Sequence, residues 1–107
     1  MELRGKVKSI ECAWDDDDAF WMISAAFRDE DIGFEIYKEA AQRDCENSGY
    51  STTDKILYIE ADDRVWGLRW IIQQLAPHLG RDQELRAYIS FGLAYASSIL
   101  PAPVARS

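Results

Sequence analysis

Residues 19–27 read Ala19-Phe20-Trp21-Met22-Ile23-Ser24-Ala25-Ala26-Phe27 and hold no charge and one hydroxyl. They lie between two acidic clusters, Asp15-Asp16-Asp17-Asp18 and Asp29-Glu30-Asp31. An apolar run of this length between polar turns reads as a strand buried on both faces. Phe20, Met22, Ser24 and Ala26 would face one side. Trp21, Ile23, Ala25 and Phe27 would face the other. The small residues Ser24, Ala25 and Ala26 would let a covering element approach closely.

Outward from this stretch, the strand pattern continues on both sides. From Leu3 to Trp14, Ile10, Cys12 and Trp14 alternate with Ser9, Glu11 and Ala13, the period of a strand with one face inward. The four aspartates make the turn between the two strands and must face water, because adjacent carboxylates repel. Asp29 to Gly33 is the next turn. Phe34 to Glu39 then reads as a third alternating strand, which makes an antiparallel meander. Residues 38–44 have good helix propensity, so they either turn helically after that strand or extend it. Cys45 to Asp54 is rich in Asn, Ser, Gly and Thr and reads as a loop. Lys55 to Glu60 is a fourth, β-branched strand.

Two helices close the chain. Asp62 or Asp63 caps the first. Val65, Leu68, Ile71, Ile72 and Leu75 recur at helical spacing, and the helix should end near Ala76, since a residue before proline disfavours helix. Gly67 weakens this helix by about 1 kcal/mol relative to Ala. The rival reading of 62–76 is a hairpin continuing from the fourth strand. Gly80 is a stop signal, and Asp82 starts the second helix, with a stripe of Leu85, Tyr88, Ile89, Gly92, Ala96 and Ile99 running to Pro101. The expected fold is α+β: a four-stranded antiparallel meander followed by two C-terminal helices packed on one face. It forms a single domain over 1–107, with 101–107 a frayed tail.

The 107 residues carry a net charge of -7. Such a chain is repelled by phosphate backbones, so no direct nucleic-acid binding is expected. The longest apolar stretch, Ala87 to Leu100, is too short and too polar for a membrane span. Cys12 and Cys45 lack CxxC spacing, and the first residues have no apolar leader. Free thiols in a reducing cytoplasm are the expectation. Cys12 reads as a small core residue, Cys45 as part of a polar stretch that could be exposed.

No catalytic signature stands out. His78, the only histidine, follows a proline at a helix end, where a structural role outweighs a catalytic one. Asp62, Asp63 and Arg64 are explained by a helix cap and a surface ion pair. The Asp15–Asp18 run lacks the spaced ligands, central Gly and distal Glu of a calcium loop. No metal site, no cofactor and no P-loop, dinucleotide or zinc motif is expected.

The leading functional expectation is a small acidic protein-binding module, inhibitor-like or immunity-like, that steers a basic partner. Its speculative contact residues are Asp15, Asp16, Asp17, Asp18, Asp29, Glu30, Asp31, Tyr50, Asp62 and Asp63. The two acidic clusters at opposite ends of one strand would decorate opposite edges of the sheet. The alternative is a small-molecule binder with a pocket lined by Trp21, Trp66, Trp70, Tyr88 and Tyr95. A homodimer is also expected, because helices on one face of a sheet leave the other bare.

Overall fold

The structure is a computed structural model and describes residues 1–28 and 34–93. The apolar run forms β2 (Phe20–Phe27) in the interior of a four-stranded antiparallel sheet. Its neighbours are β1 (Val7–Asp15) and β4 (Ile56–Ala61), and β3 (Asn47–Ser51) borders β4 on the outside, giving the order β1-β2-β4-β3. Helix α1 (Phe34–Asp44) connects β2 to β3, and α2 (Arg64–Ser90) follows β4. The α+β class, the antiparallel four-stranded sheet and the helical C-terminal region agree with the sequence reading.

Two elements differ from it. Residues 34–39 are not the third strand; they begin α1. Tyr37, Ala40, Ala41 and Cys45 are buried while Ile36 is 70% exposed, which is a helical stripe rather than an alternating one. Residues 38–44 are therefore helix, and Cys45 is buried rather than exposed. The third strand comes instead from within Cys45–Asp54, where Asn47–Ser51 pairs antiparallel with Ile56–Glu60. Gly49 fits there because the ring of Tyr58, its cross-strand partner, occupies the space a Cβ would need.

Residues 62–76 are helix and not hairpin. Asp63 is the N-cap, its Oδ1 accepting the Trp66 N–H at 2.9 Å. The expected stop before Pro77 is overridden. Leu75 and Leu79, one turn apart, are both buried, and the helix runs on to the break at Gly80 (φ 72°, ψ 159°). A straight helix would put residues 64 and 91 about 40 Å apart. Here the Arg64 guanidinium donates to the Phe91 carbonyl at 3.1 Å, so the limbs 64–79 and 81–90 fold back on each other. The second limb does not reach Pro101. Phe91 is its C-cap, Gly92 takes φ 72°, and the Gly92 and Leu93 N–H groups donate to the Ile89 and Tyr88 carbonyls. That left-handed glycine cap ends the helix where a continuous stripe was expected. Tyr95, Ala96, Ile99 and the expected tail over 101–107 lie outside the described residues.

Register decides which face is covered. Ile10, Ala25 and Leu57 align across β1, β2 and β4, as do Cys12, Ile23 and Ile59. Ile10, Ile23, Ala25, Leu57 and Ile59 are buried under the helices with Leu68, Ile71, Ile72 and Leu75. Each such branched side chain contributes about 2 kcal/mol on burial. Tyr37 of α1 stacks on Phe27 at 6.1 Å, so α1 lies on this same face. Among the described residues no helix packs on the other face. This face presents Ala13, Phe20, Met22, Ser24, Ala26, Ile56 and Tyr58, with Met22 36% exposed.

Candidate functional site

β1 and β2 form a hairpin around the aspartate run, and the turn is held by its own first carboxylate. Asp15 Oδ1 accepts the N–H groups of Asp17 at 3.0 Å and Asp18 at 3.3 Å. Ala19 closes the turn with φ 55°. The pairing Asp15↔Phe20 sets Trp14 opposite Trp21. Their rings meet edge-on at 5.2 Å and 61°. Trp14 is 46% exposed, and its Nε1–H donates to Asp16 Oδ1 at 2.6 Å. The Arg64 guanidinium lies 5.9 Å from the Trp21 ring centroid, a cation–π arrangement.

Antiparallel pairing then gathers carboxylates from distant parts of the chain. Because β4 runs against β2, Ala61 aligns with Trp21 and Glu60 with Met22. Asp62 and Asp63 follow at the same end of the sheet. Because β3 runs against β4, Asn47 aligns with Glu60, which brings Glu46 to that end as well. A shallow cleft of about 170 Å³ is lined by Asp18, Phe20, Glu46, Asn47, Glu60 and Asp62. Like charges on exposed carboxylates make this end of the molecule strongly negative. Phe20 lies within it, and Trp14 flanks it on the hairpin.

Of the proposed contact residues, Asp15 to Asp18, Asp62 and Asp63 are thus brought together. Asp29, Glu30 and Asp31 lie outside the described residues. Tyr50 stands apart: it pairs with Leu57 on the helix-covered face and packs partly buried against the core. The sequence reading did not single out Trp14, Phe20 and Glu46 for this surface. Trp14 and Trp21 stand symmetrically about the aspartate turn, a signal that was available. Glu46 could not be placed without β3.

The aromatic set of the alternative reading is mostly packing. Trp70 and Tyr88 are buried, and Trp21 and Trp66 pack partly buried against the core. The Trp70 Nε1–H donates to Asp44 Oδ2 at 3.1 Å. The bond from Arg43 to Asp44 holds that carboxyl below the usual range, with the Trp70 bond reinforcing it against burial. Tyr88 carries the Arg69 guanidinium 5.6 Å from its ring centroid. His78 meets Tyr37 edge-on at 5.7 Å, a packing contact. Cys12 is partly buried beside Arg64, and burial pushes its thiol up while Arg64 opposes that shift. Burial likewise raises the Tyr37 hydroxyl. Among the described residues, no three His, Cys, Asp or Glu side chains are grouped so as to hold a metal ion. No described helix is long and apolar enough to cross a membrane.

Comparison with known proteins gives no match: no family model, no curated protein and no solved structure corresponds to this chain.

Proposed function

We propose that the protein is a binding module that docks a basic protein partner on the acidic end of its sheet. The observation that carries this reading is the cleft that gathers Asp18, Glu46, Glu60 and Asp62 around Phe20, at the same end of the sheet as the rest of the aspartate turn, Asp63 and Trp14. Carboxylates concentrated at one end steer a cationic surface and raise its association rate. Aromatic side chains at such a rim supply the apolar contact on which affinity rests. A small acidic inhibitor of a basic enzyme is the class of protein that this surface suits. Cys12 and Cys45 are not joined in a disulfide, which fits a reducing, cytoplasmic setting.

The test uses a purified basic partner recovered on the immobilised protein, with association and dissociation rates measured directly. The triple variant Asp16→Asn, Asp17→Asn, Asp18→Asn should slow association and flatten its salt dependence. Trp14→Ala should speed dissociation, and Glu84→Gln, on the second limb of α2, should change neither. Unaltered association of the triple variant at low salt would reject the reading.

A second reading concerns self-association and is favoured by the open sheet face of Phe20, Met22, Ile56 and Tyr58. Two copies stacked antiparallel on this face would set the acidic end of one over Lys6, Arg28 and Lys55 of the other. This pairing is the homodimer expected from the sequence.

A further inference from the structure

The end of the molecule remote from the acidic turn holds a second cleft of about 230 Å³, lined by Glu2, Leu3, Arg4, Arg28, Gln83 and Arg86. Three guanidinium groups and one carboxylate leave this lining with an excess of positive charge, in a chain whose net charge is -7. With 19 carboxylates in the sequence, arginines would be expected to find acidic partners. Among the described residues none of these three is in an ion pair. Arg28 is instead fixed by backbone: its Nε donates to the Gly5 carbonyl at 2.9 Å and its Nη2 to the Leu3 carbonyl at 2.6 Å. Its guanidinium is therefore positioned before any ligand arrives, so little side-chain entropy is lost on binding. Gln83 Oε1 lies 3.5 Å from the Arg4 backbone nitrogen, which ties the N-terminal segment to the second limb of α2 across the cleft.

We infer that this cleft between the N-terminal segment and α2 binds a phosphate group, with Arg28 as the fixed donor and Arg4 and Arg86 closing on it. Guanidinium forks match phosphate and carboxylate oxygens alike. The charge balance of the lining selects between them, because among the described lining residues an excess of two positive charges matches a dianion better than a monoanion. Size points the same way. The volume is below the roughly 300–1,000 Å³ of pockets that enclose a whole drug-sized ligand. It accommodates one oxyanion and a few waters, each water occupying about 30 Å³. The rest of a larger ligand would lie outside. This site lies at the opposite end of the sheet from the acidic turn and does not rest on a basic partner docking there.

The test is an amide and arginine-side-chain NMR titration of the full chain with phenyl phosphate, phenyl sulfate, inorganic phosphate and, at matched ionic strength, sodium chloride. Phenyl phosphate should give saturable shifts at Arg4, Arg28, Gln83 and Arg86, and phenyl sulfate, a monoanion, should bind more weakly. Arg86→Gln should weaken phenyl phosphate about tenfold, as expected for one lost charge-assisted partner. Its spectrum reports directly whether the fold is retained, and Lys38→Gln, on α1, should leave the affinity unchanged. Inorganic phosphate binding as tightly as the monoester would identify the free ion as the ligand; weaker binding would identify an esterified phosphate. Shifts that fail to saturate, that sodium chloride reproduces, or that persist unchanged in folded Arg86→Gln would overturn the assignment.

Discussion

Gly67 of α2 lies directly against the side chain of Ile23 in the middle of β2. A Cβ at position 67 would run into Ile23 Cδ1 and would also come within 3.0 Å of Ala61 Cβ. The glycine that looked like a flaw in the helix is the point of closest approach between helix and sheet. Gly67→Ala gains about 1 kcal/mol in helix propensity but overpacks a core that is full, at a cost of about 1–3 kcal/mol. A thermal melt should show net destabilisation. A midpoint raised above wild type would mean that α2 can lift off the sheet freely.

Asp44 should make stability depend on pH. Its folded carboxyl lies below its ordinary value, held there by Arg43 and Trp70, so it stabilises the fold above the unfolded value near about 3.9. That contribution is lost as pH falls through the folded value. Asp44→Asn keeps an acceptor for Trp70 but cannot titrate. Its melting deficit relative to wild type should therefore be present at neutral pH and shrink in acid. A deficit that stays constant with pH would exclude this role. Asp44→Ala also strands the buried Trp70 N–H, which should cost about 1–3 kcal/mol in chemical denaturation.

Within the aspartate turn the four carboxylates are not equivalent. Asp15 accepts two backbone N–H groups, as a helix cap does. Asp15→Ala should destabilise by about 1 kcal/mol, in line with the loss of such a cap. Asp17→Asn with Asp18→Asn should leave the melting midpoint unchanged or raise it, since exposed like charges repel. A sharp fall in the double variant, or a rise in the wild-type midpoint on adding calcium, would point to a structural metal at this turn.

Self-association is checked by light scattering across a dilution series. If the open sheet face joins two copies, the mass should exceed 12.3 kDa and fall towards it on dilution. Phe20→Glu, on the open face, should dissociate the pair and keep the fold. Trp21→Glu, on the helix side under Arg64, should damage the fold itself. A mass of one chain at every concentration would refute the dimer and leave the open face to a foreign partner.

The sequence by itself determined β1 and β2, their acidic hairpin, β4, the capped start of α2 and the break at Gly80. These are local decisions: alternation over β1, an unbroken apolar run in β2, aspartates where a turn must be solvated, Asp63 before an apolar period, and a glycine free to leave the helical region. Tertiary structure decided α1, β3, the helix continuing past Pro77 and its end at Gly92. Residues 34–39 alternate for too short a span to fix a period, and burial of Tyr37, Ala40 and Ala41 on the sheet tips them to helix. Asn47–Ser51 has no strand preference of its own; its backbone hydrogen bonds are supplied by β4, and Tyr58 fills the space over Gly49. The acidic end follows the same division. Its Asp15–Asp18 run is plain in the sequence, but the meeting with Glu46, Glu60, Asp62 and Asp63 depends on antiparallel register between strands far apart in the chain. Charge can be counted along a sequence, whereas the field it makes depends on where pairing puts each carboxylate.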